Sequence, residues 1–201
     1  MTRPLDGVSV LELTTMIAGP YAGQMLGDLG ADVIKVERPE TGDQTRGYAP
    51  PTYGNSDESA YYLSLNRNKR SMTLDLASDR GQSLFRELAQ DADVLVENFR
   101  VGQMAEWGLG YEQLSETNPD LVYCSITGYG ETGPYKDRPA YDLIMQAEGG
   151  MMSITGVPDG EPVRVGVAIA DIGAGMYATQ AILSALLDRE LGDSGGEKVE
   201  V

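Results

Sequence analysis

One acid stands alone in the apolar, glycine-rich run at residues 163–177, VRVGVAIADIGAGMY: Asp171. A carboxylate in such surroundings must find partners or carry chemistry, because an unpaired buried charge is costly. Carboxylates attack carbonyl carbon to give covalent intermediates, which makes Asp171 a candidate nucleophile. Around it, Gly166, Gly173 and Gly175 lack a Cβ and let backbone approach a ligand closely.

What the chain lacks narrows the chemistry further. Its 201 residues include no histidine, which excludes Ser-His-Asp and Cys-His catalysis and the usual zinc sites. A single cysteine, Cys124, rules out an internal disulfide framework and gives no metal cluster. Within LVYCSI it reads as a buried strand residue. Acid–base or covalent work then falls to carboxylates, tyrosine, lysine or Cys124, and no metal is expected.

Thirty-one acids against 15 bases give a net charge of −16, with lysine only at Lys35, Lys69, Lys136 and Lys198. Such a surface repels phosphate backbones, so no nucleic-acid partner is expected. The acids are scattered rather than gathered in a tail, a pattern that fits a halophilic, salt-adapted surface or an ordinary acidic one. No signal peptide is expected, and Asp171 with its glycines interrupts the most apolar region, so neither is a membrane span. Cytoplasm is the expected compartment.

Several other groups bear on ligand binding. Residues 128–133, GYGETG, match G-x-G-x-x-G behind an expected strand, a dinucleotide signature. Pro134 and Pro139 bracket the stretch that would have to be the phosphate-binding helix, so a glycine-rich turn and no NAD are expected. Residues 66–70, NRNKR, concentrate three bases, to which Arg38, Arg46 and Arg164 add. Such a patch holds a phosphorylated ligand through bidentate arginines, or balances Asp75 and Glu37, and composition leaves both open. Asn98 and Phe99 end an expected strand, where α/β proteins meet ligands. Asn98 suits an amide or ring nitrogen and Phe99 a stacked base, while turn formation and core packing explain them equally. Asp142 follows Tyr141 at the start of a helical stretch. It is an N-cap by position, or a second active-site carboxylate if it lies beside Asp171.

The elements that must position these groups alternate. Strands are expected at 8–13, 31–37, 71–76, 92–99 and 121–126, with helices at 21–29, 79–91, 101–107, 111–117 and 171–190. Residues 38–63 read as one long loop, and a further strand begins at Val199. The fold class is therefore α/β: a Rossmann-like, mostly parallel sheet with flanking helices and ligand contacts at the strand C-termini. Residues 1–190 form one large domain. Residues 191–201 open a following segment, and the chain looks truncated.

At the level of whole motifs, the N-terminal segment through VLELTTMIAGPYAGQMLGDLGADVIKVERPETGDQTR, then NRNKRSMTLDL, ADVLVENFR, the stretch from LGYEQLSETNPDLVYCSITGYGETGPYKDRPAYDLIMQAEGG and ADIGAGM, resembles the class III coenzyme A transferases. This is the formyl-CoA and carnitine-CoA transferase family, which also holds alpha-methylacyl-CoA racemase; its members are longer, so the chain corresponds to an N-terminal half. The resemblance implies transfer of coenzyme A from an acyl-CoA to a carboxylic acid, with Asp171 as nucleophile and an interlocked homodimer as the assembly. It implies coenzyme A contacts from Ile17, Ala18 and Arg38, from residues 74–77 with Leu74 and Asp75, from Asn98, Phe99 and Arg100, and from residues 139–142 with Tyr141 and Asp142. Two positions depart from the family pattern: Glu106 stands where an arginine is common, and Ile17 where formyl-CoA transferase has glutamine. The racemase branch uses a histidine where this chain has Tyr141, and a phenol titrating near pH 10 is a poor base at neutrality, which favours acyl transfer.

Overall fold

A computed structural model describes residues 3–192 and 194–201. Six strands, β1 (Ser9–Leu13), β2 (Asp32–Glu37), β3 (Lys69–Thr73), β4 (Val94–Glu97), β5 (Val122–Ser125) and β6 (Lys198–Glu200), make one sheet in the order β3-β2-β1-β4-β5-β6. All pairings are parallel. The helices are α1 (Ala18–Asp28), α2 (Ala60–Leu65), α3 (Asp79–Ala89), α4 (Gln103–Glu106), α5 (Tyr111–Ser115), α6 (Asp142–Glu148) and α7 (Ile169–Leu191). The α/β architecture read from the sequence is the one observed.

Alternation along the strands divides the core into two layers. Val10, Val33, Val94, Val96, Val122 and Cys124 face α1 and α7, where Ala22, Leu26, Ala178 and Ile182 meet them. Leu11, Leu13, Leu95 and Tyr123 face the other way, onto Phe85 and Ala89 of α3 and onto Leu109 and Leu114. Cys124 is fully buried in β5, and burial pushes its thiol up to about 12, so it is inert at neutral pH.

Helices α1 and α7 approach closely because Gly175 lies between them. A Cβ there would sit 2.6 Å from the Ala18 carbonyl oxygen, so this glycine serves helix packing rather than a ligand. Sharing a face has a topological consequence. Helix α1 carries the chain from β1 toward β3, whereas α7 carries it from β5 toward the opposite edge. The two crossovers therefore have opposite hands, which the long β5–β6 connection permits where a short one would not.

Two departures from the sequence reading have clear causes, and one expectation beside them holds. Strand β3 begins at Lys69 rather than Ser71, because the charges at its start are paired: Lys69 with Glu12 at 2.7 Å, and Arg70 with Asp32 through Nε at 2.9 Å. Arg67 pairs with Asp28. The basic cluster at 66–70 thus balances charge, though with these acids and not with Asp75 or Glu37. Residues 38–63 are not all loop, since a 3-10 turn spans Gln44–Gly47 and α2 starts at Ala60 behind Ser59, whose hydroxyl accepts the Tyr62 N–H. Finally, no helix follows the glycines at 128–133 before α6, and a Cβ at Gly128 would lie 1.9 Å from that of Ala140. That segment is the expected glycine-rich turn.

A buried ionic group fastens the loop after β2. Lys35 Nζ lies 2.9 Å from Glu12 and 3.1 Å from Asp43, and donates to the Thr14 carbonyl at 2.7 Å. Burial alone would raise the Glu12 carboxyl, but the Lys35 and Lys69 charges outweigh it and hold it below the ordinary range. Lys69 is pushed down to about 8 by burial, which Glu12 only partly offsets. Paired acids and bases of this kind stay ionised together, and removing one partner strands the others in the interior.

Candidate active site

Strand order reverses between β1 and β4, so the chain leaves their C-terminal ends toward opposite faces of the sheet and a crevice opens between the two connections. A cleft of about 710 Å³ lies there, walled by residues that follow β1, β4 and β5 and by the first turn of α7. Asp171 lines it, together with Ala170 and Ala174.

Asp171 is half-buried and has no ion-pair partner among the described residues. Burial pushes its carboxyl up to about 6, and the negative charge of Asp142 adds to the rise. A carboxylate poised near neutrality is charged enough to attack and poorly solvated enough to be reactive.

Two residues of α6 hold the segment that carries it. Asp142 does not cap its own helix: Tyr141 occupies the N-cap position, and Asp142 Oδ1 accepts the Ala170 N–H at 2.9 Å, capping α7 from outside. Its Oδ2 accepts from Gln146 Nε2 at 2.7 Å. Gln146 Oε1 in turn accepts the Val165 N–H at 2.8 Å, and Nε2 reaches the Val167 carbonyl at 3.3 Å. Helix α7 has no side-chain cap of its own, so these bonds supply what its first turn lacks. Ile169 N–H is taken by the Val167 carbonyl, leaving the Asp171 N–H without an acceptor among the described residues. A free amide at a helix N-terminus is a ready donor for an oxyanion.

The residues singled out in the sequence divide. Ala18, Asn98, Phe99, Arg100, Tyr141 and Asp171 line the cleft, and Asp142 touches its wall through Ala170. Ile17 is the N-cap of α1, between the lining residues Met16 and Ala18. Arg38, Leu74 and Asp75 are not brought to Asp171. Arg38 is exposed beyond β2, Leu74 lines a separate groove of about 430 Å³ with Ile34, Met72 and Leu88, and Asp75 Oδ1 accepts the Ala77 N–H at 3.1 Å.

Within the cleft, several side chains already have protein partners. Phe99 packs edge-on against Trp107 with centroids 5.3 Å apart. Arg100 donates to Gln103 Oε1 at 2.9 Å and pairs with Glu106, the position where the family pattern has arginine. Arg138 pairs with Glu148 at 2.7 Å and lies over the rings of Tyr129 and Tyr135. Lys136, also lining the cleft, has no acidic partner among the described residues. Three cations on one cleft are many for a chain this acidic, and they make it attractive to anions.

Sequence reasoning missed Met16, Gln146 and Tyr61. Met16 lines the cleft at φ +69°, a left-handed conformation that a long side chain rarely adopts, and nothing in its residue type announces it. Gln146 lies four residues beyond Asp142, so helical spacing links the pair once the helix is known. Tyr61 sits on the unforeseen α2, where burial and then the Asp171 charge raise its phenol.

The family model described as CoA-transferase family III matches residues 5–201. A succinate–glutarate CoA-transferase of Agrobacterium fabrum is 53% identical over 188 residues, covering 92% of this chain and 47% of the relative. A succinyl-CoA:mesaconate CoA-transferase of Haloarcula hispanica is 47% identical over 193 residues, covering 92% and 48%. A crystal structure of a CAIB/BAIF family protein from Brucella suis superposes with a TM-score of 0.93 at 50% identity, over 99% of this chain and 53% of that one. The chain spans about half the length of these relatives. Its sequence and its fold place it together with them: the chain belongs to CoA-transferase family III.

Proposed function

We propose that the protein transfers coenzyme A from an acyl-CoA to a carboxylic acid through a covalent intermediate on Asp171. The observation that carries this reading is a carboxylate raised to about 6 by burial, without an ion-pair partner among the described residues, in the cleft at the β1–β4 switch point. Asp171 attacks the thioester carbonyl, and the C–S bond breaks to give a mixed anhydride and coenzyme A thiolate. The thiolate attacks the aspartyl carbonyl, releasing the first acid and leaving coenzyme A as a thioester on Asp171. An incoming carboxylate attacks the aspartyl carbonyl and breaks its C–S bond, giving a second anhydride and free thiolate, which then attacks the acyl carbon of the incoming acid. Asp171 leaves as the free carboxylate. The Asp171 N–H and the α7 N-terminus steady the oxyanions formed on the way.

Dicarboxylic acids are the substrate class the reading favours. Relatives at about half identity carry succinate, glutarate and mesaconate in their names, and the cleft presents Arg100, Lys136 and Arg138 to a second carboxylate or to the phosphates of coenzyme A. Ala18, Asn98, Phe99, Arg100 and Tyr141 form the coenzyme A side of the cleft in this account. Exposed Tyr177, Leu187 and Leu191 along α7 fit a homodimer contact, and the acidic surface fits a cytoplasm of high salt. In the whole enzyme, Asp171→Ala abolishes transfer between acyl-CoA and free acid while coenzyme A binding, measured by calorimetry, persists. Undiminished transfer by that variant would remove Asp171 from the mechanism.

A further inference from the structure

The side chain of Asn98 bonds twice to one residue of the protein. Its Oδ1 accepts the Thr15 N–H at 3.0 Å, and its Nδ2 donates to the Thr15 carbonyl at 3.0 Å. The two bonds pair an amide side chain with both polar groups of a single backbone residue, across the β1–β4 switch point. Thr15 has just left β1, and the next residue is Met16, in its left-handed conformation on the cleft wall. The chain then enters α1 at Ala18, which also lines the cleft.

Loops at the C-terminal ends of parallel strands have no ladder partner of their own, so a loop that must hold a costly backbone conformation needs an external tie. Here that tie is one residue long and comes from the neighbouring strand. From below, Lys35 donates to the Thr14 carbonyl, so Thr14 and Thr15 are each held by a side chain.

We infer that Asn98 is a positioning residue: its amide locks Thr15 and thereby sets the Met16–Ala18 loop in the geometry that receives the substrate thioester. The kinetic part of this inference rests on the acyl-transfer reading, whereas the structural part does not.

The chemistry of the tie makes it testable with one atom. In Asn98→Asp at pH 8, the carboxylate still accepts from the Thr15 N–H but faces the Thr15 carbonyl oxygen with no hydrogen. Amide hydrogen exchange at residues 15–18 of the ligand-free whole enzyme then accelerates by roughly tenfold or more, as expected for a lost buried bond. Lowering the pH to about 4 protonates roughly half of the introduced acid, which then regains one acceptor and one donor, and the ratio of variant to wild-type exchange falls toward one. In the transfer assay, kcat/KM for acyl-CoA falls by a similar factor at pH 8 and recovers relative to wild type on acidification. Asn98→Ala, uncharged, shows the same faster exchange with no recovery at low pH, and thermal melts confirm that both variants are folded. Wild-type exchange at residues 15–18 in the folded Asn98→Ala enzyme would overturn the inference whatever the assay shows. Fast exchange with unchanged kcat/KM would overturn its functional part alone.

Discussion

Asp142 Oδ1 accepts the Ala170 N–H at 2.9 Å, one residue before Asp171, so the group that fixes the start of α7 also adds to the rise that burial gives the Asp171 pKa. One carboxylate thus bears on both the position and the acidity of Asp171. The ordinary helix-end effect would stabilise a charged Asp171 in the first turn of α7, and burial together with Asp142 overrides it.

This coupling predicts the pH dependence of the reaction. Attack requires ionised Asp171, so kcat/KM falls as pH drops through about 6, where its carboxyl takes up a proton. Asp142→Asn keeps an oxygen for the Ala170 N–H but removes the neighbouring charge. The acid limb of the profile then moves to lower pH. Rate profiles of the two enzymes from pH 4.5 to 8 check this, and superimposable acid limbs would disprove the coupling.

Gln146 is almost fully buried, and it ties Asp142 to the Val165 N–H and the Val167 carbonyl. Gln146→Ala leaves these groups unpaired and opens a void, at a cost of about 2–4 kcal/mol. The segment before α7 loosens, so kcat falls more than KM rises. Urea unfolding and steady-state kinetics on the same preparation measure both effects.

Glu97, at the end of β4, is a second displaced acid. Burial pushes it up to about 7, although Ser125 Oγ and the Phe99 N–H both donate to it; nearby Glu131 adds to the rise and Lys198 opposes it. The folded state therefore holds a proton between pH 4.5 and about 7 that the unfolded chain has released. Stability falls as pH rises through that window, by about 3 kcal/mol at most from this residue. Glu97→Gln gives a shallower dependence, retaining only the part due to Asp171 and other groups. Urea midpoints at pH 5, 6 and 7 decide it, and an unchanged slope would contradict the assignment.

How much of this was legible in the chain follows from where each signal lies. The β1-α1-β2 unit could be read because apolar runs, a proline in the first turn of a helix and Gly30 at its end all lie within one short stretch. Asp171 was legible because a lone acid among glycines and aliphatics has few structural explanations. Helix α2 was hidden, being six residues long with no buried face of its own and only the Ser59 cap to mark it. The start of β3 was hidden by its charges, since only the folded chain brings Lys69 to Glu12 and Arg70 to Asp32. Asp142 had the sequence of an N-cap, and it is one, but for a helix whose bonded amide lies 28 residues further on. Local pattern identifies a capping group, and only tertiary structure says which helix it caps.

The central claim is that Asp171 forms an acyl bond during turnover. The whole enzyme is incubated with an acyl-CoA in the absence of acceptor acid, quenched with hydroxylamine, digested, and the peptide containing Asp171 is weighed. The account predicts conversion of the Asp171 carboxyl to its hydroxamate, dependent on acyl-CoA and absent in Asp171→Ala. An unmodified Asp171 peptide from enzyme that is turning over, or hydroxamate on another residue, would contradict it.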